Sequence, residues 1–365
     1  MNGRRNRVLV DARKARDFGI GTYIRALLGA LAALDRYELH ALVLPGEEAL
    51  LPPGVLARIC DATHYSFGEL VAVRRAIQAI QPDLFHAPHY VVPFFPPKAT
   101  VVTIHDLMHL TRPEHAALAK RAYARWMVGR ALRLSAAVIA GSEETKREIL
   151  AFGPEHGGKV AVIGYGVREE FFEVEKEKKE SSSESYLLFL GNDKPHKNLD
   201  GLLAAFARLR VSTPSLSLVL AGVDPGRTLP EGAKALGWVP DGDVPALVAG
   251  ACVLVQPSFA EGFGLPVLEA QASGTPVACS DLPALREAAG DAAVFFDPHD
   301  IGSMAAALET LLGNKEKRDL LGKRGRERAT QFTWRRVAER TAQIYDAVLL
   351  PFKEKLSSEK PRHSS

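Results

Sequence analysis

Cysteine is scarce in this chain and forms no recognisable framework. The 365 residues contain only Cys60, Cys252 and Cys279, an odd and widely spaced set without a CxxC pair. Two of the three fall within apolar stretches that resemble strands, which indicates buried free thiols in a reducing compartment. This usage argues against both a disulfide scaffold and a cysteine-based metal site.

Long apolar runs and a strong charge imbalance are also missing. No stretch approaches the roughly 18 apolar residues of a membrane span. The N-terminal MNGRRNRVLVD has only Val8 to Val10 as an apolar run, which is too short for a signal peptide. The net charge of +3 is too small to argue for nucleic acid as a partner. We therefore expect a cytoplasmic protein that does not bind nucleic acid.

The composition that remains is that of an ordinary globular protein, with 47% hydrophobic and 24% charged residues. A chain of 365 residues is long enough for two domains, each with its own core. Short apolar strands alternate with amphipathic helices throughout, which is the pattern of open parallel sheets. The sequence therefore predicts an α/β protein with two doubly wound, Rossmann-like domains and a ligand cleft between the carboxyl ends of their strands.

One stretch interrupts this alternation and divides the chain. Residues 168 to 185, REEFFEVEKEKKESSSES, are rich in charge and serine and cannot bury a core. The predicted strands before it are Val8–Val10, Leu39–Leu44, Leu84–His86, Val101–Ile104, Ala137–Ala140 and Val160–Ile163. The predicted strands after it are Tyr186–Leu190, Leu216–Leu220, Ala251–Val255, Pro276–Cys279 and Ala293–Phe296. The predicted divisions are a first domain over 1–168, a linker over 169–185, a second domain over 186–333, a helix over 334–352 and a disordered tail over 353–365.

A pair of carboxylates in SFAEGFGLPVLEAQ is the strongest functional signal. Glu261 lies in a predicted strand-to-helix loop, and Glu269 lies one turn inside the helix that follows. Between them, Gly262 and Gly264 allow backbone N–H groups to approach a ligand, and the start of a helix favours an anion. Carboxylates accept hydrogen bonds from vicinal hydroxyls, so this arrangement suits a sugar and a ribose joined by a diphosphate.

A second loop of the same kind is LFLGNDKPHKNLDGLL, where Gly191, Lys194 and Lys197 lie between a strand and a helix. A fixed cation before a helix start is what a departing diphosphate requires. The alternative for each lysine is a solvated loop position. Another pair, Asp241 and Asp243, indicates a turn and a helix N-cap more than a metal site, and we expect no metal to be needed.

In the first half, two strand ends carry candidate groups. Gly19 and Gly21, in the loop after the first strand, either cradle a phosphate or form a tight structural turn. His105 and Asp106 follow a buried strand and so face the crevice edge of the sheet, although a lone histidine there is more often a structural residue. The sequence does not decide which of His86, His89 and His105 points inward.

The segment from Glu261 to Ala270 resembles the Glu-Gly-Phe-Gly-Leu-Pro-x-x-Glu-Ala motif of the retaining glycosyltransferases of family 4, which have the GT-B fold. The resemblance implies that Glu261 holds donor-sugar hydroxyls and that Glu269 binds the nucleotide ribose. It also implies that Lys197 binds the diphosphate and that His105 and Asp106 lie near the reacting sugar and the acceptor. Further donor contacts that it implies are Gly19, Gly21, Gly191, Trp238, Val239, Phe263, Gly264 and Leu265.

The chain departs from the family where an Arg often follows the first glycine or precedes the Lys-Asn pair. Asn192 and His196 occupy those places, and Lys194 is our candidate for the second cation. By the same resemblance, the helix after Thr333 crosses back onto the first domain.

Residues 116 to 134, AALAKRAYARWMVGRALRL, carry five basic residues and no acidic one. Such a helix either packs its apolar face on the sheet or lies on an anionic membrane surface. It is the basis for predicting peripheral membrane contact and a lipid-linked acceptor.

Together these features predict a retaining glycosyltransferase that moves a hexose from a nucleoside diphosphate sugar to a glycan or lipid-linked acceptor. GDP-mannose is favoured slightly over UDP-glucose, because the Gly-Ile-Gly-Thr-Tyr loop and the Lys-Asn pair resemble mannosyltransferases of the family. The alternatives are a nucleotide-sugar epimerase or phosphorylase on the same fold, and a non-enzymatic sugar-binding protein.

Overall fold

The computed structural model describes residues 4–17, 19–62, 64, 66–111, 118–174 and 186–358. The chain divides into two compact units. Unit 1 comprises Met1–Gly166 with Trp334–Ser365, and unit 2 comprises Val167–Thr333. The predicted α/β class is confirmed, because each unit is built on one parallel sheet of Rossmann-like topology.

Unit 1 contains a seven-stranded sheet in the order β3-β2-β1-β4-β5-β6-β7, with every pairing parallel. Its strands are β1 (Arg7–Asp11), β2 (Glu38–Val43), β3 (Val55–Ile59), β4 (Leu84–Ala87), β5 (Thr100–Ile104), β6 (Ala137–Ala140) and β7 (Val160–Val162). The helices that connect them are α1 (Ile20–Ala33), α2 (Phe67–Ile80), α3 (Met108–Thr111), α4 (Leu118–Leu134) and α5 (Glu143–Phe152).

Helices cover this sheet on both faces, so its central strands are buried and mostly apolar. Val8 and Val10 of β1 pack in one core with Leu27 of α1, whereas Leu9 packs in a second core with Val128 of α4. Successive residues of a strand point to opposite faces, and a parallel sheet buried on both faces therefore needs continuous apolar runs.

Unit 2 contains a six-stranded parallel sheet in the order β10-β9-β8-β11-β12-β13. Its strands are β8 (Tyr186–Leu190), β9 (Ser217–Ala221), β10 (Ala233–Gly237), β11 (Val253–Gln256), β12 (Val277–Ser280) and β13 (Val294–Phe296). Its helices are α6 (Glu170–Glu173), α7 (Leu199–Arg210), α8 (Val244–Gly250), α9 (Leu265–Ala272), α10 (Pro283–Ala289), α11 (Ile301–Leu312) and α12 (Lys315–Ala329).

A last helix, α13 (Trp334–Ser358), returns to unit 1 and packs on α1. Its buried Tyr345 lies 2.6 Å from Nδ1 of His86, and Nε2 of His86 lies 2.8 Å from the hydroxyl of Thr103. These hydrogen bonds satisfy both nitrogens of a histidine that is completely buried, so α13 is part of the core of unit 1.

Three boundaries differ from the prediction. The segment assigned to the linker begins with α6, whose Phe171 is fully buried, and unit 2 already starts at Val167. Helix α13 continues to Ser358, so the first residues of the predicted disordered tail are helical. Residues 175–185 and 359–365 lie outside the described part of the chain. Within that part, none of the helices is both long enough and apolar enough to cross a membrane.

Candidate active site

The order of the strands in unit 2 reverses between β8 and β11. From β8 the chain moves outward to β9, and from β11 it moves outward to β12 on the other side. Ligands of open α/β sheets bind in the crevice beyond the carboxyl ends of the strands at such a switch point. The loops that follow these two strands carry Lys197 and Glu261, so the fold brings together one candidate residue from each of the two predicted loops.

Lys197 and Glu261 form an ion pair that is shielded from solvent. The distance from Lys197 Nζ to Glu261 Oε1 is 2.7 Å, with 13% and 9% of the two side chains exposed. The same oxygen accepts hydrogen bonds from Gln256 Nε2 at 2.6 Å and from Ser258 Oγ at 2.6 Å. Burial opposes ionisation of Glu261, but Lys197 and these donors outweigh it, so the pKa of the carboxyl is lowered.

Asn198 fixes the loop that contains Lys197. Its backbone is left-handed, with φ of 53°, and its amide nitrogen donates to the carbonyls of Pro257 at 3.0 Å and Pro298 at 2.8 Å. Those carbonyls lie in the loops that follow β11 and β13. One buried amide therefore ties three strand-end loops together, which holds Lys197 in place relative to Glu261.

Gly264 shapes the start of α9. Its φ is +106°, and a Cβ built there would lie 2.5 Å from Leu285 Cδ2. A side chain is therefore excluded by both the backbone conformation and the space available. Pro266 lies in the first turn, as predicted, where its missing N–H has no partner to lose. Phe263 is buried and tilted against Phe332 at a centroid distance of 6.3 Å, and Leu265 begins the helix.

Glu269 lies within α9 and is buried. Burial raises the pKa of its carboxyl to about 8, against the lowering effect of Arg168 and with a further rise from Asp241. Arg168 donates to the carbonyl of Asp241 at 3.1 Å, which places a guanidinium beside this part of the site. Glu269 therefore keeps its proton near neutral pH. Hydrogen-bond donors on a ligand would lower the pKa of this carboxyl.

The remaining residues predicted to bind the donor lie in different environments. Gly191 is buried and donates to the carbonyl of Ala221, whereas Lys194 is exposed. Trp238 is 74% exposed, and Val239 is half-buried. Asp243 occupies the N-cap position of α8, as predicted, although its side chain makes no capping hydrogen bond.

Arg227 is a further cation beside the loop of Lys194 and Lys197, and sequence analysis did not identify it. Its guanidinium pairs with Asp193 and Asp200, on either side of the Lys197 turn. Because two carboxylates already pair with Arg227, it does not replace the arginine that is common at this loop in the family.

In unit 1, both ring nitrogens of His105 are occupied by the protein. Nε2 lies 2.9 Å from the carbonyl of Pro88, which can only accept, and Nδ1 lies 2.6 Å from the hydroxyl of Tyr165. The Pro88 carbonyl therefore requires a hydrogen on Nε2. Burial lowers the pKa of His105 to about 4. Asp106 accepts from the backbone of Met108 at 3.1 Å.

The two glycines of the first loop differ in their surroundings. A Cβ at Gly21 would lie 2.4 Å from the carbonyl oxygen of Ala15, so close packing within the loop accounts for this glycine. Gly19 has φ of +78° and open space around its Cα. Of the two, Gly19 is the one with room for a ligand.

Sequence analysis missed a buried charge cluster at the switch point of unit 1, between β1 and β4. Arg13 pairs with Asp11 at 2.6 Å and with Glu69 at 2.9 Å, and all three side chains are 1% exposed. His89, beyond β4, lies 3.3 Å from Asp11. Burial opposes ionisation of Asp11, but Arg13 and His89 hold the pKa of its carboxyl well below the usual range. One signal for this cluster was present in the sequence, because Asp11 directly follows the apolar run Val8–Val10.

No group of three or more His, Cys, Asp or Glu side chains with metal-binding geometry occurs in the described ranges.

Two sequence profiles match adjacent parts of the chain. The profile "Glycosyltransferase Family 4" matches residues 19–171, and "Glycosyl transferases group 1" matches residues 170–328. Together they extend across both units. The chain is a family 4-like glycosyltransferase. The resemblance noted in the sequence is thereby confirmed, and so is the GT-B fold.

Relatives and solved structures agree with this assignment. The O-antigen chain mannosyltransferase B of Escherichia coli is 29% identical over 290 residues, which are 74% of this chain and 76% of the relative. The MMP alpha-(1->4)-mannosyltransferase of Mycolicibacterium hassiacum is 34% identical over 170 residues, which are 43% and 41% of the two chains. The sucrose-phosphate synthase of Thermosynechococcus elongatus superposes with a TM-score of 0.81 at 21% identity, covering 95% of this glycosyltransferase and 100% of that chain.

A further structural neighbour is Anabaena Alr3699/HepE in complex with UDP-glucose. Its TM-score is 0.75 at 18% identity, covering 94% of this chain and 100% of the other. At this level of identity the likeness supports the fold.

Proposed function

We propose that this glycosyltransferase transfers a hexose from a nucleoside diphosphate sugar to a glycan or lipid-linked acceptor in polysaccharide or glycolipid synthesis. GDP-mannose is the favoured donor. The observation that carries the proposal is the shielded Lys197–Glu261 pair beside the Gly264 start of α9, at the switch point of unit 2. Two relatives that are named as mannosyltransferases support mannose over glucose.

Within this site, each predicted residue has a role that its environment suits. Glu261 orients the sugar through its hydroxyls, and Lys197 with the backbone amides of Phe263, Gly264 and Leu265 neutralises the diphosphate. Glu269 accepts from the ribose, Gly191 and Lys194 line the diphosphate side, and Trp238 and Val239 lie beside the base.

In unit 1, Gly19 is the glycine with room for a phosphate, and Asp106 serves the acceptor side. Because both nitrogens of His105 are occupied, this residue shapes the reacting face as a neutral ring and does not act as a base.

The transfer is proposed to retain the configuration at the anomeric carbon. The bond from C1 to the diphosphate oxygen breaks, and its electron pair leaves with the diphosphate. The acceptor oxygen bonds to C1 on the same face, and its proton passes to the departing diphosphate. No carboxylate acts as a nucleophile, so the paired-acid logic of glycosidases does not apply to Glu261 and Glu269. Helix α9 and Lys197 supply positive charge where the leaving group needs it, and a divalent metal is not required.

The first test is a thermal-shift comparison of GDP, UDP and ADP, with magnesium and with EDTA. A ligand at 100 times its dissociation constant stabilises the native state by about 2.7 kcal/mol. We expect a shift with GDP that EDTA leaves unchanged. A shift with UDP alone would replace the proposed base, and a shift that vanishes in EDTA would contradict metal independence. An absence of any shift would count against the transferase proposal and favour a sugar-binding protein.

The anomeric outcome is tested separately. GDP-α-mannose and a glycan acceptor should give an α-linked product, which is identified from its one-bond carbon–proton coupling by NMR. A β-linked product would contradict retention while leaving the donor site intact.

Peripheral membrane contact is proposed for the surface formed by α4 and the loop before β5. Phe95 is 81% exposed and lies under the guanidinium of Arg74, at 4.6 Å from its ring centroid. Arg130 lies over Trp126 at 5.1 Å, and Trp126 is itself 39% exposed. Exposed aromatic rings among arginines suit the headgroup region of an anionic membrane.

Sedimentation with vesicles tests this surface. We expect binding to vesicles that contain phosphatidylglycerol, weak binding to pure phosphatidylcholine, and loss of binding in the Phe95→Ser, Trp126→Ser variant. Binding that is equal for both vesicle types, or unaffected by the variant, would contradict the proposal. The opposite face of α4 buries Met127, Val128 and Leu132, so this helix also packs on its unit.

A further inference from the structure

Gln256 and Ser258 are completely buried polar side chains at the carboxyl end of β11, and the proposed transfer gives them no role. We propose that they are positioning residues of the donor site, which hold Glu261 so that only its Oε2 atom faces the donor sugar. The inference rests on the proposed function, because it concerns the same donor site.

The first support is the distribution of donors on the Glu261 carboxylate. Oε1 accepts from Lys197 Nζ at 2.7 Å, from Gln256 Nε2 at 2.6 Å and from Ser258 Oγ at 2.6 Å. A carboxylate oxygen offers about two lone-pair sites, so three donors leave Oε1 without capacity for a ligand. None of the described hydrogen bonds reaches Oε2, which leaves that oxygen for a sugar hydroxyl.

The second support is how Gln256 and Ser258 are placed relative to each other. Gln256 Nε2 also lies 3.0 Å from Ser258 Oγ, so the two groups form one unit around Oε1. The carbonyl oxygen Oε1 of Gln256 is buried and has no hydrogen-bond partner among the residues that the structure describes. Buried polar atoms are usually paired. The Gln256 side chain thus directs its amide nitrogen to Glu261, although this orientation leaves its own oxygen unpaired.

The third support comes from comparison with a site in which Lys197 is the sole partner of Glu261. Rotation about the last bond of a glutamate side chain is broad and weakly restricted. With one flexible ammonium as its partner, the carboxylate would rotate freely and present either oxygen. Two donors on the rigid end of a strand remove that freedom and leave Lys197 available for the diphosphate.

Ser258→Ala and Gln256→Leu test the proposal through two affinities measured by calorimetry, one for GDP and one for GDP-mannose. The control is Ser280→Ala, because Ser280 is equally buried on the neighbouring strand but bonds only the backbone carbonyl of Gln256, at 3.3 Å. UDP and UDP-glucose replace these probes if the wild type prefers uridine.

If the two residues position Glu261, each variant should bind GDP within about twofold of the wild type but should lose roughly tenfold in affinity for GDP-mannose, the loss expected for one charge-assisted hydrogen bond. The control should keep both affinities. An equal loss for both ligands would indicate a general structural effect and overturn the proposal, as would no loss for either.

Gln256→Glu adds a measurement whose result would not depend on pH if Gln256 had only a structural role. It replaces the amide donor by a carboxyl beside Glu261, and two carboxylates that share a site raise the pKa of one of them. At low pH the introduced carboxyl is protonated and donates again. We expect GDP-mannose affinity to recover as the pH falls from 8 to 5.5 in this variant but not in Gln256→Leu. Parallel pH profiles of the two variants would overturn the proposal.

The wild type separates this inference from the proposed function. If it binds none of the four probes, the proposed function fails and this inference fails with it. If it binds the nucleotide sugar more tightly than the nucleotide and the variants keep that difference, only the positioning role is wrong.

Discussion

The ammonium of Lys197 lies 2.7 Å from Oε1 of Glu261, although the two residues are 64 positions apart in the chain. Each is delivered by a loop at the carboxyl end of a neighbouring strand, and neither has an equally close charge of opposite sign elsewhere among the described residues. A pair of this kind is costly to break from one side, because the partner is left as an uncompensated charge in a shielded site.

Single and double substitutions of the pair should therefore differ in stability. We expect Lys197→Met and Glu261→Gln each to lower the free energy of unfolding, the first by about 3 kcal/mol. The double variant should recover most of this loss, because it leaves no charge unpaired. Urea unfolding of the three variants measures the coupling, and additive losses would contradict it.

All three variants should also lose transfer activity by at least about a hundredfold, which corresponds to about 2.7 kcal/mol of transition-state stabilisation. A stable double variant without activity would separate the catalytic role from the structural one. Normal turnover in either single variant would remove the role assigned to that residue.

Glu269 predicts a specific pH dependence of stability. The pKa of its carboxyl is about 8 in the native state and 4.5 as the ordinary value. Between these values the native state holds a proton that the unfolded chain has released. The free energy of unfolding should therefore fall as the pH rises through this window, by up to about 1.4 kcal/mol per pH unit from this group.

Glu269→Gln should remove that slope. Relative to the wild type, its free energy of unfolding should therefore be higher at pH 8 than at pH 5. Urea midpoints of the variant and the wild type across this range provide the measurement. A slope that is the same in both proteins would show that Glu269 is already ionised in the native state.

Gly264→Ala should displace the start of α9. The added Cβ meets Leu285 at 2.5 Å in a backbone conformation that side chains rarely adopt. We expect weaker nucleotide binding and a loss of about 1–3 kcal/mol in stability. The matched control is Gly158→Ala, where a Cβ meets no atom within 4 Å and no positive φ is present. Equal behaviour of the two variants would contradict the strain argument.

Arg13 should be far more sensitive to substitution than an arginine in an exposed ion pair. Arg13→Met leaves Asp11 and Glu69 buried without their cation, with an expected cost of about 3–5 kcal/mol. Arg335→Met removes an exposed pair with Glu339 and should cost about 0.3–0.5 kcal/mol. Similar unfolding midpoints for the two variants would show that the buried cluster adds little.

The central strands of both sheets could be predicted from the sequence, whereas β3 and β10 could not. Both missed strands lie at the edge of a sheet, and all five β3 side chains are exposed or half-buried. An edge strand buries less of its surface, so it does not need the continuous apolar run that marks a central strand. The same reason explains why the prediction succeeded for strands such as β1 and β11.

The site shows a similar division. The placement of Glu261 and Gly264 in a strand-to-helix loop could be predicted, because an apolar strand before them and a Pro in the first turn after them mark both boundaries. Gln256, Ser258 and Arg13 could not, because their roles depend on which side chains the fold brings within hydrogen-bonding distance. Sequence spacing shows that a residue lies at a strand end, but it does not show what the residue contacts there.

Helix α13 has a consequence for the order in which the protein becomes complete on the ribosome. Unit 2 is one continuous stretch, Val167–Thr333, whereas unit 1 needs Trp334 and Tyr345 for its core. Translation proceeds at roughly 5–20 residues per second, so the core of unit 1 waits on the order of ten seconds after Gly166 has been synthesised. During that interval the apolar face of α1 that α13 later covers stays exposed on the nascent chain.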